Sequence, residues 1–156
     1  MVELLIVVVI IGLLTSMALP NYIRAVEKSR AAEAMNMIKN INDAAYAYAA
    51  ERGICPAGLS KLLITVPGTP NGDKKVRSKD FEYELDAADA DIIPGTSCHG
   101  TMATRLDSAY EYKLWNPYRV IDPVSKKRTL ACAATNEKGI GICKALGIYL
   151  ENTGTN

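Results

Sequence analysis

The sequence predicts an α+β protein: one long, kinked N-terminal α-helix packed on an antiparallel β-sheet head. Three observations carry this reading. No charged residue occurs from Leu4 to Ile23, apolar residues then recur at helical spacing to about Arg52, and from Phe81 onward they alternate in short runs separated by turn dipeptides. A chain of 156 residues, 49% hydrophobic and 22% charged, is one domain by length and composition. Lys and Arg number 18 against 17 Asp and Glu, for a net charge of +1 with no long basic run. That balance excludes the basic face that clamping a nucleic-acid backbone requires, so no sequence-specific nucleic-acid partner is expected.

The apolar run is the first element. Leu4, Leu5, Ile6, Val7, Val8, Val9, Ile10, Ile11, Leu13 and Leu14 open a stretch long enough to be a membrane-span candidate. A secretory signal would place positive charge before this run and a small-residue cleavage site after it; Met1, Val2 and Glu3 carry no positive charge, and no Ala-x-Ala pattern precedes Pro20. Glu3 stands at the edge of the run, and an ionised acid deeper in hydrocarbon costs roughly 2.5 to 3.5 kcal/mol on insertion scales. It reads either as an interfacial residue at headgroup level or as a carboxylate awaiting a cation. The natural cation is the N-terminal amine of a neighbouring identical subunit, a pairing that rejects wrong axial registers. Gly12 weakens a helix interior by about 1 kcal/mol and Pro20 removes a backbone hydrogen bond, so a kink or locally unwound segment is expected between them.

The second element is amphipathic. Val26, Met37, Ile38, Ile41, Ala44, Ala45 and Tyr48 supply apolar positions, with Arg24, Glu27, Lys28, Arg30, Glu33, Lys39 and Asp43 as polar faces, until Gly53 and Pro56 stop the helix. At 1.5 Å per residue the whole helix is about 75 Å long, more than a small head can cover. Its exposed half must be buried in lipid or among copies of itself.

Residues 53–80 are rich in Gly, Pro, Lys and Ser and read as a connecting loop with a short helical piece around Leu59 to Leu63. The sheet is expected within 81–135. Phe81, Tyr83 and Leu85 share one side of a strand, followed by strands over Ala109 to Trp115, Tyr118 to Ile121 and Thr129 to Ala133, with turns at Asn116-Pro117 and Asp122-Pro123. Four cysteines, Cys55, Cys98, Cys132 and Cys143, form no Cys-x-x-Cys, and one histidine cannot complete a zinc set. They read as two disulfides, in one of three connectivities, in an oxidising compartment.

The run Met1-Val-Glu-Leu-Leu-Ile-Val-Val-Val-Ile-Ile-Gly-Leu-Leu, followed by Ala18-Leu-Pro-Asn-Tyr22, resembles the N-terminal segment of type IV pilins and their pseudopilin relatives. The resemblance covers about the first thirty residues. It implies that Glu3 is the assembly glutamate, that Gly12 and Pro20 bound a segment able to lose helicity in filaments, and that Tyr22 follows the same proline as in relatives. It further implies a filament core built from Leu4 to Leu14 and a division into residues 1–26, the anchor and filament core, and 27–156, the head. That head comprises the amphipathic half-helix 27–52, the loop, the sheet and a C-terminal disulfide region over 132–156. In the pilin pattern Cys132 pairs with Cys143 around a C-terminal loop, which leaves Cys55 with Cys98. Relatives begin, after leader removal, with an N-methylated aromatic residue two places before the position of Met1. On that alignment the amine that Glu3 would meet precedes Met1.

The function implied is that of a structural subunit of a type IV pilus, not an enzyme and without a cofactor. It would be anchored in the inner membrane and then polymerised with identical subunits into a surface filament serving motility, adhesion or DNA uptake. A prepilin peptidase, an assembly platform and a separate ATPase are the implied partners. A pseudopilin of a type II secretion system is the alternative, and a membrane-anchored periplasmic enzyme or binding module is a more distant one. Other constellations read more plainly. Cys98-His99 has no orienting carboxylate and reads as a disulfide beside an exposed histidine. Asp86, Asp89 and Asp91 are weak metal candidates without EF-hand spacing and read as a solvated loop, although calcium there would favour the pseudopilin. Tyr22, Tyr46 and Tyr48 read as interface aromatics, and Lys74, Lys75, Arg77 and Lys79 as a solvated cluster.

Overall fold

The computed structural model describes residues 2–86, 100–116 and 130–150. A single helix, α1 (Val2–Arg52), lies against a six-stranded antiparallel sheet whose strands run in chain order: β1 (Thr69–Pro70), β2 (Lys75–Arg77), β3 (Phe81–Asp86), β4 (Gly100–Arg105), β5 (Tyr112–Trp115) and β6 (Ala131–Ala134). A second helix, α2 (Glu137–Leu146), follows the last strand. The α+β architecture expected from the sequence is therefore present.

α1 continues without a break through Gly12 and Pro20. The locally unwound segment expected there is not found in the single chain. Pro20 forfeits one hydrogen bond, but the turns on either side retain theirs, and propagating an existing helix is cheap compared with nucleating a new one. The helix ends at Gly53, which takes the left-handed conformation at φ 69° while its N–H reaches the carbonyl of Ala49 at 2.8 Å.

Only the C-terminal half of α1 is covered by the head. Glu27, Ala31, Ala34, Ile38, Ile41 and Ala45 are buried at spacings of three and four, one stripe of the helix. Against it the sheet turns the alternating positions Phe81, Tyr83 and Leu85 of β3, Thr101, Ala103 and Arg105 of β4, and Tyr112 and Leu114 of β5. The register is consistent with a single inward face: Tyr83 pairs with Ala103, Leu85 with Thr101, and Leu114 with both Ala103 and Cys132. The small residues Ala31, Ala34 and Ala103 let helix and sheet approach closely.

Several elements differ from their expected form. The segment 53–80 holds the expected helical piece as a 3₁₀ turn, Leu59–Lys61, but also β1 and β2, so it contributes an edge of the sheet rather than a loop alone. β4 was not anticipated; Gly100-Thr-Met-Ala-Thr-Arg105 is too small and polar to show apolar alternation. β5 begins at Tyr112 rather than Ala109, and β6 occupies Ala131–Ala134. The expected strand Tyr118 to Ile121 and the turns at Pro117 and Asp122-Pro123 lie outside the described residues.

Cys132 and Cys143 are joined, with Cα atoms 5.5 Å apart and both residues fully buried. What they enclose is a helix, not a loop. Asn136 caps α2 by accepting from the N–H of Gly139 at 2.8 Å, Glu137 lies in its first turn, and Gly147 closes it in the left-handed conformation. Gly139 is required by space, since a Cβ there would stand 2.7 Å from the carbonyl oxygen of Glu111. Cys55 is also disulfide-bonded; Cys98, its expected partner, lies outside the described residues.

Replacing Cys132 and Cys143 together by Ser should cost the head about 2 to 4 kcal/mol. The single tryptophan reports on this, because Trp115 of β5 pairs with Ala131, next to Cys132. Urea unfolding followed by its fluorescence should show a lowered midpoint while the helical circular dichroism of α1 persists; an unchanged midpoint would refute a stabilising role.

Candidate functional site

The distinctive surface is the N-terminal half of α1. Every large apolar side chain from Leu4 to Leu14 is 51% to 73% exposed, and Met17, Leu19 and Ile23 continue the pattern. The most apolar stretch of α1 has a mean hydropathy of 2.6, and none of it is buried by the other described residues. By length and composition it suffices to cross a membrane. The structure places Leu4 to Leu14, the residues expected in a filament core, together on this stem, where none is buried by the other described residues.

Polar groups on the stem are handled locally. The hydroxyl of Thr15 donates to the carbonyl of Ile11 at 2.7 Å and that of Ser16 to Leu13 at 2.7 Å. These bonds allow the hydroxyls to enter an apolar medium without an outside partner. Glu3 sits in the first turn of the helix. Gly12 has open space where a Cβ would be, so nothing among the described residues requires glycine there. Tyr22 is 68% exposed, at the stem's last turn.

The stem ends where Glu27 begins the buried stripe, and this junction was missed in the sequence. Glu27, read there as part of a polar face, is only 1% exposed. Its Oε1 accepts from Nε of Arg105 at 2.6 Å and from the hydroxyl of Tyr112 at 2.9 Å; Oε2 accepts from Nη2 of Arg105 at 3.0 Å and Nη1 of Arg30 at 3.3 Å. Arg105 also donates to the carbonyl of Asp80 at 2.8 Å and lies over the Phe81 ring, 5.4 Å from its centre. One carboxylate thus joins α1 to β4 and β5, while Asp80, just before β3, holds the guanidinium from the other side at 3.3 Å. A signal was available: Glu27 falls in phase with Ala31, Ala34, Ile38 and Ile41, and an acid on an apolar stripe calls for a buried cation.

Burial alone would raise the carboxyl of Glu27, but hydrogen bonds from Arg105 and Tyr112, the Arg105 charge and the bond from Arg30 together hold it below its ordinary value. Burial likewise pushes the Tyr112 phenol up, as does the carboxylate of Glu27 beside it. For Arg105 burial acts downward and is outweighed by Glu27, which keeps the guanidinium charged.

Among the described residues no group of three His, Cys, Asp or Glu is placed to hold a metal. Asp86 ends β3, whereas Asp89, Asp91 and His99 lie outside the described residues. A cleft of about 230 Å³ between α1 and the end of β5, lined in part by Asn42, Asp43, Tyr46 and Asn116, is smaller than the roughly 300–1,000 Å³ of typical small-molecule sites. Among the described residues its lining includes no Ser, Cys or His. Of the basic cluster, Lys75 pairs with Glu84 at 3.0 Å across β2 and β3.

Comparison with known protein families, with curated proteins and with solved structures finds no match to this chain.

Glu27→Ala should destabilise the head by about 3 to 5 kcal/mol, because Arg105 is left buried without its counter-charge. Thermal unfolding monitored at Trp115 measures this, and a loss below 1 kcal/mol would contradict it. The pH dependence has a definite sign. Because the carboxyl of Glu27 is lower in the folded chain than its ordinary 4.5, its contribution is present above that value and lost as pH falls through the folded one. Stability should therefore decline below about pH 4.5, and the decline should be smaller in Glu27→Gln; equal acid sensitivity of the two proteins would assign it elsewhere.

Proposed function

We propose that this chain is a type IV pilin: a membrane-anchored structural subunit that polymerises through its N-terminal helix into a helical surface filament. The observation that carries the reading is the uncovered stem, apolar on all sides, uncharged from Leu4 to Ile23, and continuous with the helix that forms one wall of the head core. A helix apolar all round is stable only when surrounded. Burying about ten large, half-exposed side chains is worth on the order of 10 kcal/mol per subunit. Lipid offers that before assembly and neighbouring stems offer it afterwards.

The N-terminal sequence resemblance supplies the rest of the reading. In a polymer the stems form the core, the sheets face outward, and Glu3 meets a cation of a neighbouring subunit to set the axial register. Moving a stem from lipid into a protein core brings little hydrophobic gain, because lipid tails are already apolar. Extraction must then be driven from outside; the chain has no phosphate-cradling loop, so a separate ATPase and membrane platform would do that work. The subunit acts by binding its own kind, without a catalytic step. Motility, adhesion and DNA uptake are all compatible uses.

Glu3→Ala should insert in the membrane at the normal level but yield few filaments, as measured by membrane fractionation beside recovery of sheared filaments. Normal filament yield would remove Glu3 from assembly. Cryo-electron microscopy of filaments from cells carrying the chain should trace Leu4 to Leu19 at the axis. Confinement of the chain to the envelope, with no surface filament, would favour the secretion pseudopilin instead.

A further inference from the structure

The apolar run from Leu4 to Ile23 spans about 30 Å as an α-helix, which equals the thickness of a bilayer's hydrocarbon core. Arg24 is the first residue beyond it, and Lys28 follows one turn later on the same side of the helix. Both are exposed, and neither has an ion-pair partner among the described residues. The one acid between Glu3 and Glu33 is Glu27, and it is turned into the head, with its charge engaged by Arg105 and Arg30. The head thus removes the carboxylate that would neutralise the end of the stem. Two like charges one turn apart are mildly unfavourable in water, and an anion lying between them reverses that. Tyr22, exposed in the preceding turn, is of the type that settles at headgroup depth.

We propose that Arg24 and Lys28 form a docking surface for the phosphate headgroups of anionic phospholipids, at the membrane face on the head side of the stem. The proposal rests on the membrane-anchor reading given above. Charge complementarity and continuity with the span favour lipid as the occupant: the two cations emerge where the phosphates of the head-side leaflet lie, whereas the far end of the stem carries the acidic Glu3. Binding there fixes the depth of the stem and holds the Glu27 junction just outside the bilayer, where its ion pairs form.

The test uses the full chain reconstituted in phosphatidylcholine bilayers, with spin-labelled phosphatidylglycerol or phosphatidylcholine as probe and the motionally restricted lipid fraction as readout. Phosphatidylglycerol should be preferred by about fivefold for each cation engaged, and by much less at high salt. Arg24→Gln with Lys28→Gln should abolish the preference, Arg24→Lys should retain it, and Lys39→Gln, farther up the same helix, should leave it unchanged. Equal restriction of both probes by the natural chain, or a preference surviving in the double variant, would overturn the proposal while leaving the anchor intact. The absence of restricted lipid with either probe would instead overturn the anchor reading, and the docking surface with it. Loss of filaments in the double variant, with no lipid preference in the natural chain, would assign the two cations to a second copy.

Discussion

The bidentate ion pair between Glu27 and Arg105 is the first point along α1 at which the helix is held by its own chain. Before it the helix is uncovered; after it every third or fourth residue enters the core. A buried pair of this kind is a poor source of stability, because desolvating two charges offsets most of their attraction. Its geometry is what it contributes. The carboxylate takes bonds from β4, β5 and its own helix, each with a set direction, so the helix is fixed in rotation and in axial position against the sheet. Apolar contacts through Ala31 and Ala34 would tolerate sliding or rotation far better.

Fixing that rotation also decides what the stem presents. The α-helix carries its phase unbroken from Arg52 back to Val2, so the orientation set at Glu27 determines where Glu3, Gly12 and Tyr22 point relative to the head. The disulfide between Cys132 and Cys143 acts at the β6 edge of the sheet in the same sense. It ties α2 to β6, and β6 is bonded through β5 to the strand that holds Arg105.

The architecture was legible in the sequence wherever one face of an element had a single environment. The uncharged run to Ile23 and the Ile38, Ile41, Ala45 stripe declared α1, and Phe81, Tyr83 and Leu85 declared β3. Where the environment was mixed, legibility failed. The inward positions of β4 are Thr101, Ala103 and Arg105, which resemble a surface strand until Asn42 and Glu27 are brought opposite to bond Thr101 and Arg105. β1 and β2 are short strands toward one edge of the sheet in a Gly- and Lys-rich segment, where pairing is decided by β3 rather than by local pattern. α2 carries Gly139 and Gly141, poor helix formers, and depends on its cap and disulfide. The candidate site divides the same way. The stem could be read because its signal is continuous along the chain, whereas the Glu27 junction joins residues separated by 78 and 85 positions, which only the fold brings together.

An apolar stem is a strong but undiscriminating device. Its side chains gain as much from lipid tails as from another stem, and the difference between the two surroundings is small compared with the burial itself. In the proposed anchor and filament, the choice of surroundings and register therefore falls to the few polar groups placed along an otherwise uniform rod. Glu3 marks one end, Arg24 and Lys28 the other, and Thr15 and Ser16 between them are already satisfied by the helix and impose no preference. Removing Glu27 from the surface sharpens this division. Had it stayed exposed, it would have stood one turn from Arg24 and brought the head-side boundary closer to neutral. By drawing that one carboxylate into the core, the head gains a rigid joint and at the same time leaves a positive collar on the stem, so a single buried side chain sets both the mechanics and the electrostatics of the junction.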